Sequence, residues 1–154
     1  QTFLEIDKNK TKSVNSKAPG YGRKAVIYAT CFVNYNNPSI GTSALDVLNT
    51  NGVETEVVYP SCCGMPQLEQ GNIADVARAA ERVAKELRIW VDDGNDIIAL
   101  TPSCALMLKF EWPLILPENE DVKVLSSATY DIDEYIVERT FRGRLCGKCR
   151  NACI

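Results

Sequence analysis

Histidine is absent from this chain of 154 residues. That one absence removes Ser–His and Cys–His nucleophilic catalysis, His-ligated zinc hydrolysis and imidazole proton shuttling together. Any metal here must be held by sulfur, oxygen or backbone groups. No apolar stretch reaches the ~18 residues that would span a bilayer. The polar, lysine-rich opening QTFLEIDKNKTKSVNSKAPG has no apolar signal-peptide core. An initiator methionine is also missing, which points to a piece of a longer polypeptide or to a processed one. An excess of positive charge is lacking as well. A net charge of −3 and a pI near 5.1 argue against a general nucleic-acid binder.

Cysteine, by contrast, is plentiful. There are seven, an odd number in a chain of one-domain length. Such a chain buries enough surface, roughly 68–70% of its extended area, to do without a disulfide scaffold. An odd count in so long a chain fits a reducing, cytoplasmic setting better than a secreted framework. Two of the seven are adjacent, in PSCCGMP at residues 60–66. A vicinal pair makes a strained disulfide but presents two thiolates to one soft metal centre.

Strand-like and helix-like segments alternate along the chain. Residues 1–22 read as an arm or linker, with a possible short strand at Thr2–Ile6. KAVIYAT (24–30), VETEVVY (53–59), DIIAL (96–100) and VKVLS (122–126) read as short strands. Helices are expected over 38–49, where Pro38 suits a first helical position, and over 73–91, where Val76, Ala80, Val83, Leu87 and Trp90 recur at steps of three or four. Two more are expected over 101–113 and 129–141. This order predicts an α/β domain over residues 23–141: a parallel sheet of about four strands, with helices on both faces. Residues 142–154 read as a cysteine-containing tail.

In a parallel sheet the strand carboxyl ends share one edge, and ligand sites gather there. Cys31 follows the first strand, Cys62 and Cys63 the second, and Cys104 the third. Four thiols are thus expected on one rim. Gly64 can adopt positive φ and let the chain wrap a bulky centre. Cys104 lies near a helix start, where free N–H groups favour a thiolate. Taken singly, a free cysteine is most simply a small buried hydrophobe. The residues alone leave three readings open: a redox cluster, a structural zinc site, and a reactive-thiol enzyme. Met107 reads as core, and Trp112 and Tyr35 as exposed residues suited to an interface or to loop packing.

Cys31, thirty residues, Cys62-Cys63-Gly64, thirty-nine residues and Cys104 resemble the cysteine-rich CCG domain, whose pattern is C-xn-CCG-xm-C-x-x-C. The family includes the B subunit of heterodisulfide reductase. The stretches ATCFVNYNNPSIG (29–41), VVYPSCCGMPQLEQG (57–71) and TPSCALMLKFEWPLIL (101–116) most resemble the first CCG repeat in the iron–sulfur (C-type) subunits of anaerobic glycerol-3-phosphate dehydrogenases and in related iron–sulfur oxidoreductases. The resemblance implies an electron-transfer domain of a flavin-linked dehydrogenase acting on glycerol-3-phosphate or a 2-hydroxy acid, with a quinone or similar acceptor downstream. It implies Cys31, Cys62, Cys63 and Cys104 as ligands of a [4Fe–4S] cluster, which in this family includes a non-cubane form, with zinc as the alternative. The implied partners are a flavoprotein dehydrogenase subunit and further CCG or ferredoxin-type domains, with peripheral attachment to the cytoplasmic face of the inner membrane through those partners. One departure stands out: the family's last C-x-x-C reads Cys104-Ala105-Leu106-Met107, so the fifth thiol is missing. In the tail, Cys146, Cys149 and Cys153 hint at a second cluster motif but supply three ligands, not four.

Overall fold

The computed structural model describes residues 1–10 and 12–141. Four strands, β1 (Lys24–Tyr28), β2 (Glu54–Val58), β3 (Asp96–Ala99) and β4 (Thr129–Asp131), form one sheet in the order β2-β1-β3-β4. Every pairing is parallel, with Ala25 opposite both Thr55 and Asp96, and Ile97 opposite Thr129. Alternation along β1 sends its side chains into two cores. Val26 and Tyr28 pack with Val76, Ala80, Val83, Leu87 and Trp112 on one face. Ala25 and Ile27 pack with Phe3, Leu45, Leu48 and Tyr135 on the other. The expected sheet with helices on both faces is therefore present, and it buries both faces, as a parallel sheet requires.

The long helices fall where the apolar spacing puts them. α2 (Pro38–Thr50) starts on Pro38 and buries Ala44, Leu45 and Leu48. α4 (Ile73–Asp92) is capped by Asn72, whose side chain accepts from the Asp75 N–H. Between them, α3 (Met65–Glu69) forms one short turn after the vicinal cysteines.

Two expectations fail. The possible strand at Thr2–Ile6 is a helix, α1 (Phe3–Asn9). Thr2 and Glu5 form a reciprocal capping box, with Thr2 Oγ1 accepting from Glu5 N at 3.2 Å and Glu5 Oε2 from Thr2 N at 2.9 Å. Phe3, fully buried, lies on Gly41 of α2. The segment 122–126, expected as the fourth strand, lies instead in helix α7 (Glu120–Ala128). Asn119 caps it by accepting from Val122 N at 3.1 Å, and Val122 and Leu125, three apart, are both buried against the α4 side of the core. The fourth strand follows at once as β4, so the last helix begins later, at α8 (Ile132–Tyr135), where Asp131 and Glu134 close a second capping box.

The helix expected over 101–113 is broken into three parts. α5 (Pro102–Leu106) passes into a π-helical turn at Met107–Glu111 and then α6 (Trp112–Ile115). Pro113 explains the break, because it offers no N–H to the carbonyl of Lys109 and would crowd it. That carbonyl accepts instead from Ser126 Oγ at 2.7 Å.

A β-carbon at Gly41 would sit 2.6 Å from the Phe3 ring. Gly41→Ala is therefore expected to destabilise the fold by about 1–3 kcal/mol through overpacking, less the gain of up to ~1 kcal/mol that alanine brings to a helix. Urea unfolding checks this, and a raised midpoint would mean that α1 does not rest on α2.

Candidate metal centre

Because β1 lies between β2 and β3, their three carboxyl ends are neighbours. Cys31 opens the π-helical turn Phe32–Asn36 after β1, Cys62 and Cys63 lie between β2 and α3, and Cys104 lies in the first turn of α5. Cys63 and Cys104 are buried at 2% and 5% exposure, and their sulfurs share a hydrogen bond at 3.3 Å. Cys31 and Cys62 are half-buried. A cavity of about 280 Å³ opens beside Cys62, bordered by Ser61, Gly64, Gln67 and Arg82.

Side chains tie the three loops together. Tyr28 Oη, from the end of β1, donates to the Ser61 carbonyl at 2.6 Å. Trp112 Nε1, from the helical run that carries Cys104, donates to the Cys63 carbonyl at 3.1 Å. The hydroxyls of Thr30 and Thr101 meet at 2.8 Å between the Cys31 and Cys104 loops. Gly64, at φ +85°, turns the chain so that it can begin α3 directly after the cysteines. No L side chain adopts that backbone angle comfortably.

The thiols perturb one another. Hydrogen bonding to Cys104 lowers the Cys63 pKa to about 7 against the effect of burial, and the N–H of Met65 assists. That same bond, followed by burial, pushes Cys104 far up. Of the two, Cys63 therefore loses its proton first and Cys104 holds its own. Burial raises Cys62 to about 11, opposed by the Gly64 N–H and reinforced by Cys63 and Cys31. Burial, and then Cys63, Cys104 and Cys62, hold the Tyr28 phenol well above its ordinary range, so it remains a donor.

The donor set consists of four thiols, two of them served by backbone N–H groups, which suits a sulfur-seeking centre rather than a hard cation. The contact between Cys63 and Cys104 is direct. Cys31 and Cys62 stand outside that contact and act on the same thiols electrostatically. Among the described residues, no three cysteine, aspartate or glutamate side chains are arranged to hold a metal ion. Cys146, Cys149 and Cys153 lie outside the described residues. Met107, at the position of the family's missing thiol, is fully buried in the core. Trp112, expected at the surface, is fully buried, whereas Tyr35 is 60% exposed. Trp112 follows Leu108 by four residues, and that spacing is the signal that could have placed it inside. Nothing in the sequence marks the Thr30–Thr101 pair, which depends on β1 and β3 being neighbours.

A family model described as a cysteine-rich domain, CCG, matches residues 25–109, more than half of the chain. The chain belongs to the CCG cysteine-rich domain family. The C-type subunit of anaerobic glycerol-3-phosphate dehydrogenase from Escherichia coli (strain K12) is 30% identical to this CCG chain over 116 residues, covering 74% of the chain and 29% of that protein. Lactate utilization protein A from Bacillus pumilus (strain SAFR-032) is 27% identical over 122 residues, covering 75% of the chain and 48% of that protein. Its namesake in Bacillus subtilis (strain 168) is 24% identical over 121 residues. The CCG chain spans less than half the length of these relatives. No solved structure matches it. Among its described residues, no helix is long and apolar enough to cross a membrane.

Proposed function

We propose that this CCG domain holds an iron–sulfur cluster on Cys31, Cys62, Cys63 and Cys104 and serves as an electron-transfer element of a flavin-linked dehydrogenase for glycerol-3-phosphate or a 2-hydroxy acid. One observation carries the reading: in a CCG-family chain, four free cysteines stand on the three loops that follow neighbouring parallel strands. The names of the relatives, a dehydrogenase subunit and lactate utilization proteins, supply the substrate class. A bound cluster supplies one-electron chemistry at a potential set by burial and by hydrogen bonds to sulfur.

The chain's own residues would do the rest. Cys63, its pKa lowered to about 7 chiefly by the hydrogen bond from Cys104, is partly ionised near neutral pH. Gly64 and Met65 aim N–H groups at the Cys62 and Cys63 sulfurs, which stabilises negative charge there. Tyr28, Trp112 and Met107 close the inner side against water. A flavoprotein partner, further CCG or ferredoxin-type domains, a quinone or similar acceptor, and a place at the cytoplasmic face of a membrane complete this proposal.

A single zinc ion is the second reading, and the contact between Cys63 and Cys104 favours it. Two sulfurs on one tetrahedral zinc stand roughly 3.8 Å apart, given Zn–S bonds near 2.3 Å, and the observed separation is 3.3 Å. Anaerobic purification followed by iron, zinc and acid-labile sulfide analysis and electron paramagnetic resonance separates the two. A colourless protein with one zinc and no sulfide would overturn the cluster.

Removing the metal is expected to leave the fold intact. Both sheet faces carry continuous apolar cores that need no metal, unlike a zinc finger. Circular dichroism after chelation should keep its helical signal, and loss of that signal would contradict this expectation.

A further inference from the structure

We propose that Thr30 and Thr101 are positioning residues that set the separation of the Cys31 and Cys104 loops and hence the fit of the metal centre; the inference rests on the reading that these cysteines bind metal. The register of β1 and β3 pairs Tyr28 with Ala99. Two residues beyond that pair, after both strands have ended, the chains are still joined, now through side chains: Thr30 Oγ1 and Thr101 Oγ1 lie 2.8 Å apart.

Each threonine also bonds the turn that carries its cysteine. Thr30 is fully buried and directly precedes Cys31. Its Oγ1 also accepts from Val33 N at 3.2 Å, and its carbonyl accepts from Asn34 N at 2.8 Å, so it organises the turn that Cys31 opens. The Thr101 carbonyl accepts from Cys104 N at 2.9 Å and Ala105 N at 3.0 Å, which fixes the first turn of α5 and with it the Cys104 Cα. A hydroxyl pair with one buried and one half-buried member is short and directional, and removing either member leaves the other without that partner. The clasp therefore holds two ligand loops at a set distance without touching the metal. Such supports around metal ligands typically matter by about 10–100-fold in affinity.

The test is anaerobic titration of the metal-free full chain with Cd²⁺, followed by its thiolate charge-transfer absorbance, which reports sulfur ligation whether the native occupant is a cluster or zinc. Thr30→Val and Thr101→Val are each expected to weaken Cd²⁺ binding by about tenfold or more. Thr30→Ser keeps the hydroxyl and should bind like wild type. The double variant should lose no more than Thr30→Val alone, because Thr30→Val already removes the bond that Thr101→Val removes. Thr129→Val is the control. Its hydroxyl is equally buried and bonds Leu125 O at 2.7 Å, but it sits on β4, outside the cysteine loops. It should lose stability and keep Cd²⁺ affinity. Circular dichroism confirms that each variant is folded at the titration temperature, and Thr101→Val, at a half-buried site, serves if Thr30→Val does not fold.

Wild-type affinity in both valine variants, equal loss in Thr129→Val, or additive loss in the double variant would each overturn the clasp. A wild type without thiolate-bound Cd²⁺ would do so too. Uptake of Cd²⁺ without uptake of iron and sulfide on reconstitution would instead overturn the cluster reading and leave the clasp standing.

Discussion

Cys63→Ser is expected to strip most of the metal from the protein, with iron per chain falling by about tenfold or more, since even groups behind the ligands matter by about 10–100-fold. Serine is a hard, weakly acidic donor and a poor substitute for thiolate at a soft centre. The position is also the most heavily supported of the four. Cys63 is 2% exposed, touches Cys104 at 3.3 Å, receives the Met65 N–H, and has its carbonyl bonded by Trp112. Its pKa of about 7 makes it the first thiol to ionise in the Cys63–Cys104 pair. Cys149→Ser, in the tail, is expected to keep nearly all of the iron, because Cys149 is not among the four cysteines on the loops that follow β1, β2 and β3. Iron and sulfide assays on the two variants, purified anaerobically, check this. Equal loss from both would remove the distinction between rim and tail.

The legible parts of the sequence share one property: their signal is local and periodic. KAVIY and DIIA are apolar runs too short for helices, and both are central strands buried on two faces. α4 announces itself by Val76, Ala80, Val83 and Leu87. Topology then places the site. Once three strands are parallel neighbours, the loops that follow them, which carry the cysteines, leave the sheet at one edge.

Misreadings arise where short segments have two solutions. VKVLS alternates and is β-branched enough to be a strand, yet an Asn119 cap and burial of Val122 and Leu125 against the α4 core make it helical. Propensity over five residues is weaker than one cap plus one packed face. Thr2–Ile6 has the same ambiguity, settled by a capping box and by the seat that Gly41 offers Phe3. The braces of the site are illegible for another reason. Tyr28 to Ser61, Trp112 to Cys63 and Thr30 to Thr101 are contacts between loops far apart in the chain. No window of sequence contains both partners.

Trp112→Ala is expected to be the most destabilising single change outside the ligands, at about 3–5 kcal/mol. That is a large part of the roughly 5–15 kcal/mol that holds a domain together. The indole is fully buried in the core that α4 and α7 build on the sheet, and it is among the largest side chains there. Truncation leaves a cavity, and it also leaves the Cys63 carbonyl without its donor. Trp112→Phe separates the two effects. It restores most of the apolar volume but not the N–H, so the expected loss is about 1–3 kcal/mol, the consequence of one orphaned buried acceptor. Thermal unfolding should show Trp112→Ala melting on the order of 10 °C below wild type, with Trp112→Phe between them. The Phe variant carries the further consequence, because its fold survives while the backbone of Cys63 loses its anchor. It should release metal to a chelator faster than wild type at a temperature where both are folded. A Phe variant as stable and as retentive as wild type would mean that the indole merely fills space and does not hold the vicinal pair in place.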